Sequence, residues 1–121
     1  MKASGIFYVL AFVSDLERSK AFYRDKIGGM LSTDEPRVAG LAFGEGYLVL
    51  HVDERATPQR VYGGGMTIAL RVEDAAAEHA QLAKLGVPVT KLIDQPWGER
   101  NFTFSDPDGY VWLVAQSRSV G

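Results

Sequence analysis

The sequence contains no cysteine among its 121 residues. It therefore has no disulfide, no thiolate nucleophile and no sulfur-ligated metal site. Histidine is scarce as well, since His51 and His79 are the only two. A surplus of one charge is also lacking, because 13 basic and 15 acidic side chains give a formal net charge of −2. Such a chain does not attract a phosphate backbone, so we expect no nucleic-acid partner.

A long hydrophobic run is also absent. The apolar segment near the start, residues 6–13, is too short to cross a membrane, and no cleavage site follows it. Hydrophobic residues make up 46% of the chain and charged residues 23%, which is typical of a globular protein. We therefore expect a single cytoplasmic domain over residues 1–121 with no membrane partner.

The first half of the chain predicts one strand, one helix and three further strands. Ser14 and Glu17 have the spacing of a capping box, in which each side chain bonds a free backbone N–H at a helix start. Gly28 and Gly29 then allow the left-handed backbone with which helices often end. The four predicted strands are 6–13, 30–33, 38–43 and 47–52.

The second half repeats this order. Residues 66–72 predict a strand, and Asp74 predicts the N-cap of a helix that ends before a glycine. A strand over 87–92 and a closing hairpin follow. The hairpin turn is the Asp-Pro-Asp-Gly run at 106–109, where proline presets φ and Gly109 tolerates a positive φ.

The two halves are therefore repeats of one unit. Aligning Val13 with Val72 also aligns Asp15 with Asp74, so the start of both helices keeps the same spacing from the first strand. A repeat of half the chain length predicts an α+β fold made of two tandem βαβββ units. One helix would cover one face of each sheet, and the bare faces would be free to close around a cavity.

We place the units at about residues 4–55 and about residues 66–118. A charged segment with Pro58 and the run Gly63-Gly64-Gly65 predicts a linker between them, over about residues 56–65. A phosphate-binding loop would need a Lys-Ser or Lys-Thr pair and a helix start after the glycines, and neither follows here. The linker allows the units to pair within one chain or to swap across a dimer.

Five short segments, spread over nearly the whole chain, form one pattern. They are Asp15-Leu16-Glu17-Arg18-Ser19, Phe22-Tyr23, Leu85-Gly86-Val87, Pro96-Trp97-Gly98-Glu99-Arg100 and Asp106-Pro107-Asp108-Gly109-Tyr110. Together with the repeat, they resemble the vicinal oxygen chelate superfamily, which includes glyoxalase I, extradiol dioxygenases, fosfomycin resistance enzymes and bleomycin resistance proteins. The resemblance implies the glyoxalase/bleomycin resistance fold, a curved mixed sheet around a cavity.

The resemblance also indicates where metal ligands would lie. The positions that hold the metal ligands in metal-dependent relatives are occupied here by Tyr8, Thr67 and Leu113. Leucine offers no donor atom, and neutral hydroxyls are poor substitutes for imidazole or carboxylate. A metal held by His51 and Glu99 alone would lack ligands. We therefore expect no metal and no other cofactor, as in metal-free members of the bleomycin-resistance type.

Strand alternation, with the facing taken from the resemblance, predicts the residues that line the cavity. Tyr8 shares a strand face with Leu10 and Phe12, and Arg71 and Glu99 are the charged groups that we expect to orient a ligand. The full predicted set is Tyr8, Leu10, Phe12, His51, Thr67, Arg71, Trp97, Glu99, Phe102, Phe104 and Leu113.

Several of these residues also have a purely structural interpretation. Arg71 and Glu99 would then be surface charges, and His51 a residue at a strand end. Trp97, in the loop before the hairpin, would pack against the protein or contact the second subunit of a dimer. Two residues outside the set have structural roles alone: Trp112 is expected to pack against a helix, and His79 to lie in solvent on the outer side of the second helix.

The leading functional hypothesis is a metal-free protein that sequesters a hydrophobic or aromatic drug-like molecule. The resemblance implies a homodimer as its assembly. The alternative is a glyoxalase/dioxygenase-type enzyme (a lyase, isomerase or dioxygenase) with a displaced metal site or an acid–base mechanism. The acid–base mechanism would need a base such as His51 or Glu99, and the spacing of the sequence does not identify a catalytic residue. A third hypothesis is an interaction module whose cavity is filled by side chains. The sequence leaves open whether the protein is an enzyme.

Overall fold

The computed structural model describes residues 1–117. The chain divides into two compact units, Met1–Tyr62 and Gly63–Gly121, and the division falls inside the predicted linker. In the described part of the chain, neither helix is long and apolar enough to span a lipid bilayer.

Unit 1 is a four-stranded sheet with one helix. Its elements are β1 (Val9–Val13), α1 (Leu16–Ala21) with a π-helical extension (Phe22–Lys26), β2 (Met30–Asp34), β3 (Val38–Phe43) and β4 (Gly46–Val52). The strands lie in the order β1-β4-β3-β2, with β1 parallel to β4 and the other pairs antiparallel. The helix packs on β3 and β4, where Leu41, Leu48 and Leu50 are buried with Tyr23.

Unit 2 repeats this arrangement. Its elements are β5 (Ile68–Arg71), α2 (Ala75–Lys84), β6 (Ile93–Asp94), β7 (Glu99–Ser105) and β8 (Val111–Ser117). The order is β5-β8-β7-β6, with β5 parallel to β8. The helix packs on β7 and β8, and Leu82, Trp112 and Val114 are buried there. The predicted α+β fold of two βαβββ units is confirmed.

The first strand is shorter than predicted. It begins at Val9 rather than residue 6, and Ile6 and Phe7 are 89% and 84% exposed. The N-cap of α1 also differs, because the Asp15 carboxylate accepts a hydrogen bond from the Arg18 backbone N–H at 3.1 Å. Ser14, the predicted cap, instead accepts a bond from the Arg18 guanidinium at 3.0 Å.

The strand predicted over 87–92 is wrong, because β6 is confined to Ile93–Asp94. Pro88 lacks a backbone N–H and interrupts the ladder, although its carbonyl accepts a bond from Ser105 at 3.1 Å. Thr90 completes the contact through its hydroxyl, which accepts a bond from the Thr103 backbone N–H at 2.8 Å. The segment therefore runs beside β7 without forming a regular strand.

The closing hairpin has the predicted turn. The Gly109 N–H donates to the Asp106 carbonyl at 3.0 Å, and Gly109 has a φ of 91°. The Asp106 carboxylate accepts bonds from the backbone N–H groups of Asp108 at 2.9 Å and Tyr110 at 2.8 Å. This turn sets the register in which Phe104 lies opposite Trp112.

Candidate ligand-binding site

Each sheet has one face that its own helix does not cover. In unit 1, this helix-free face carries the alternate side chains of β1 and β4, where Leu10 lies opposite Val49 and Phe12 opposite His51. Phe12 is 47% exposed, whereas Leu48 and Leu50, on the other face of β4, are buried beneath α1. An apolar and aromatic surface is therefore available to a ligand on unit 1.

Tyr47 spreads across the helix-free face of unit 1. A Cβ on Gly40 would lie 2.8 Å from Tyr47 Cζ, so the ring occupies the space that a side chain at Gly40 would fill. The ring reaches from β4 over β3 to β2, where its hydroxyl bonds Ser32 and Thr33. The bond with Ser32 is the main cause that lowers the pKa of Tyr47, and the bond with Thr33 adds to it.

Tyr47 is not among the predicted site residues, although two features of the sequence point to it. It alternates with Val49 and His51 on one strand. Gly40 lies inside a strand, where glycine often marks the close approach of another group.

His51 and Phe12 form an edge-to-face pair, with ring centroids 5.9 Å apart. His51 donates from Nδ1 to the Val52 carbonyl at 2.8 Å. This bond fixes the ring orientation and leaves Nε2 with the lone pair in the neutral imidazole.

A cavity of about 380 Å³ opens next to this aromatic pair. Phe12 and His51 form its aromatic wall, and the loop after β4 forms a charged wall. The lining residues are Phe12, His51, Val52, Asp53, Glu54, Arg55 and Arg60. The volume is within the range of small-molecule pockets.

Asp53 organises the charged wall of the cavity. Its carboxylate accepts bonds from the Arg55 backbone N–H at 2.9 Å, the Arg60 Nε at 2.8 Å and the Tyr62 hydroxyl at 2.8 Å. The residue is only 7% exposed. These bonds, led by that from the Arg55 backbone, lower the pKa of Asp53. The carboxylate thus ties the loop to the end of β4.

The helix-free face of unit 2 carries smaller side chains than that of unit 1. Leu113 lies opposite Ala69 on β5 and Thr103 on β7, and Thr67 and Arg71 are exposed.

The polar residues predicted near this face differ in their contacts. The Glu99 carboxylate is engaged by the Asn101 amide at 2.8 Å. The next residue, Arg100, pairs with Asp94 at 2.7 Å. Trp97 is 69% exposed in the loop between β6 and β7.

The structure does not place Phe102 and Phe104 on the helix-free face. They are 2% and 1% exposed, and they lie opposite Val114 and Trp112 in the core beneath α2. Phe104 stacks on Trp112 with a centroid distance of 6.1 Å. The cause is the register of β7, which directs Glu99, Asn101 and Thr103 to the other face.

His79 also differs from its expectation, because it is half-buried rather than solvated. Its Nε2 donates to the Thr90 carbonyl at 2.8 Å, and its ring meets Phe102 edge-on at 4.9 Å. His79 therefore connects α2 to the segment beside β7. Trp112 is buried against the helix side, as expected.

The positions that correspond to metal ligands do not fit a divalent metal. In unit 2, Leu113 lies opposite Ala69, and the same place in unit 1 is Val49, opposite Leu10. The duplicated fold thus adds Val49 to the three positions Tyr8, Thr67 and Leu113. These four side chains provide two neutral hydroxyls at most as ligands for a metal ion. Within residues 1–117, no three His, Asp or Glu side chains converge.

The lowered pKa of Asp53 predicts a pH-dependent contribution to stability. A carboxyl group with a lower pKa in the folded state stabilises the fold above its unfolded pKa of about 3.9, and this contribution is lost as pH falls through the folded pKa. We expect Asp53→Asn to lower the free energy of unfolding at pH 7. Below about pH 4, the free energy of unfolding of this variant should decrease less with falling pH than that of the wild type. Urea denaturation at a series of pH values measures both effects.

Glu45→Gln is the control, since Glu45 is an exposed carboxylate in the turn between β3 and β4. It should retain the pH dependence of the wild type. An Asp53→Asn variant with unchanged stability at pH 7 and an unchanged acid transition would contradict the assigned role of the carboxylate.

Comparisons with known proteins agree with this architecture. The family model of the Glyoxalase/Bleomycin resistance protein/Dioxygenase superfamily matches residues 5–114. Uncharacterized proteins of Mycobacterium bovis and Mycobacterium tuberculosis are both 32% identical over 88 residues, which is 72% of this chain and 50% and 45% of theirs. The chain therefore spans about half the length of the curated relatives it matches.

Two solved structures cover nearly the whole chain. TnmS3, an antibiotic binding protein from Streptomyces sp. CB03234, is 33% identical, with a TM-score of 0.81 over 97% of this chain and 98% of its own. A lactoylglutathione lyase from Agrobacterium tumefaciens is 21% identical, with a TM-score of 0.78 over 98% of this chain and 97% of its own, and shows the fold alone. The chain belongs to the Glyoxalase/Bleomycin resistance protein/Dioxygenase superfamily.

Proposed function

We propose that this protein binds a hydrophobic or aromatic drug-like small molecule and sequesters it without a metal. The observation that carries the proposal is the helix-free face of unit 1, where Phe12 and His51 line a cavity of about 380 Å³ and Tyr47 adds a third aromatic ring to the same face.

Aromatic rings on a rigid sheet suit a planar ligand. Stacked or edge-on aromatic pairs contribute about 0.5–1.5 kcal/mol beyond the burial of their area. The Tyr47 ring is fixed by its bonds to Ser32 and Thr33, and the His51 ring by its bond to Val52. Such rings lose little conformational entropy when a ligand binds.

The first strand supplies further apolar contacts in this proposal. Tyr8 and Leu10 precede Phe12 with strand alternation, and both are exposed.

Unit 2 supplies a second set of proposed contacts on its own helix-free face. These are Thr67, Arg71 and Leu113, with Glu99 and Trp97 near the start of β7. Phe102 and Phe104 are not part of the proposed set, because both are in the core.

The comparisons support binding more than catalysis. TnmS3, which is described as an antibiotic binding protein, shares 33% identity with nearly the full chain. The positions that correspond to metal ligands carry only apolar side chains and neutral hydroxyls, which is consistent with binding that does not require a metal.

A glyoxalase/dioxygenase-type enzyme is the second candidate, and one observation favours it. The His51 Nδ1 is bonded to a carbonyl, so its Nε2 is free to accept a proton from a bound molecule. Conversion of a bound ligand that is lost in both His51→Ala and His51→Gln would favour this candidate over sequestration, provided that His51→Gln, whose amide cannot act as a base, retains the ligand affinity of the wild type.

The binding proposal is tested with N-phenyl-1-naphthylamine, a neutral aromatic probe whose fluorescence rises in apolar sites. We expect the chelator-treated protein to bind it reversibly, and Phe12→Ala to weaken binding by about tenfold, since burial of an aromatic side chain contributes about 1.5–3 kcal/mol. Leu85→Ala is the control, because Leu85 is an exposed apolar residue that follows α2. Binding that requires added Mn, Fe, Ni or Zn would contradict the proposal.

We also propose that the protein is a homodimer. Several large apolar side chains are exposed in the single chain, namely Ile6, Phe7, Val61 and Met66. Sedimentation equilibrium should give twice the chain mass of 13.3 kDa at micromolar concentration. Phe7→Glu should shift the mass towards that of one chain, whereas Lys2→Glu, a nearby change of charge, should not. A single-chain mass for the wild type throughout this range would contradict the proposal.

A further inference from the structure

We infer that the cavity of unit 1 receives the anionic group of an aromatic ligand, and that Arg55 supplies the cation that binds it. The inference rests on the proposed function, because it names the chemical class of the ligand on the helix-free face of unit 1. The class is a planar aromatic that carries a carboxylate, sulfonate or phenolate.

Most of the charges on the cavity wall are already paired. Four charged side chains line the cavity, namely Asp53, Glu54, Arg55 and Arg60. The two carboxylates are already paired: Asp53 with Arg60 at 2.8 Å, and Glu54 with Arg37, which lies on the segment before β3. Neither carboxylate is therefore available to a cationic ligand without breaking an existing ion pair.

Arg55 differs from Arg60, the other arginine of this wall. Its backbone N–H donates to Asp53, which fixes the position of the residue in the loop. In the part of the chain that the structure describes, its guanidinium has neither a hydrogen-bond acceptor nor an ion-pair partner. The cavity thus has one uncompensated positive charge.

Arg60 does not compete for this role. Its Nε is held by the Asp53 carboxylate, and its guanidinium lies 5.6 Å from the centroid of the Tyr62 ring. Arg60 and Tyr62 both bond the same carboxylate oxygen, so this group braces the wall of the cavity.

The aromatic wall determines what else the ligand contains. Phe12 and His51 line the same cavity as Arg55, so a ring that packs against them shares the cavity with this cation. A guanidinium forms two parallel hydrogen bonds with a carboxylate or sulfonate. An anion without a ring would lack the aromatic contacts, and a ring without an anion would lack the charge-assisted bonds.

Two matched probes test the inference. The anionic probe is 8-anilinonaphthalene-1-sulfonate, and N-phenyl-1-naphthylamine is the same aromatic skeleton without the sulfonate. We expect Arg55→Gln to weaken binding of the anionic probe by up to about fivefold, the upper end for a charge pair at an exposed site, and to change binding of the neutral probe by less than about twofold. Arg55→Lys, which retains the charge but not the planar fork, should give an intermediate loss.

Arg24→Gln is the matched control, since it removes the same charge from an exposed arginine that pairs with Asp25 on the helical segment after α1. Its affinity for both probes should equal that of the wild type. Added sodium chloride should weaken the anionic probe only, because salt screens exposed charges. Displacement of the anionic probe by sulfate at constant ionic strength, with 2-naphthoate no better than sulfate, would identify a site for inorganic anions and overturn the inference.

The failure of the inference and the failure of the proposed function have different signatures. Equal binding of both probes, unchanged in Arg55→Gln, would overturn the inference and leave the proposed function intact. Absence of binding by either probe would overturn both. Near-ultraviolet circular dichroism of each variant, identical to that of the wild type, shows that the native fold is being compared.

Discussion

The constraint on which the structure depends is that each four-stranded sheet has only one helix. A helix can bury one face of a sheet, and α1 and α2 each do so, over β3 and β4 in unit 1 and over β7 and β8 in unit 2. The side chains on the second face of the sheet do not pack against that helix, so their identities are not determined by helix packing. In unit 1 these are Leu10, Phe12, Tyr47, Val49 and His51. The function that we propose follows from this separation of the two faces.

The helix-free face combines rigid aromatic rings with a charged loop. Gly40 makes room for the Tyr47 ring, and hydroxyls of β2 hold it there. Asp53 fixes the loop after β4, because one nearly buried carboxylate receives three hydrogen bonds. These contacts fix the ring and the loop before any ligand binds, which is what the proposed function requires, while the positions that correspond to metal ligands have apolar or neutral side chains.

Sequence reasoning predicted the architecture because the repeat, the Asp74 cap and the turn at 106–109 are local signals. It placed Phe102 and Phe104 on the wrong face because it did not use the strand register. The turn and the expected position of Trp112 already implied that register, since Phe104 lies opposite Trp112. The Asp53 network was beyond reach, because the path of an irregular loop depends on tertiary contacts.

The central claim is that an aromatic anion binds on unit 1 without a metal. The most direct test is a ¹H–¹⁵N correlation spectrum of the labelled protein, titrated with 2-naphthoate in the presence of a chelator. The account predicts saturable shifts at amides of Phe12, Tyr47, His51 and Arg55, with α1 unaffected. Shifts confined to the helices, or saturable shifts only when a divalent metal replaces the chelator, would contradict it.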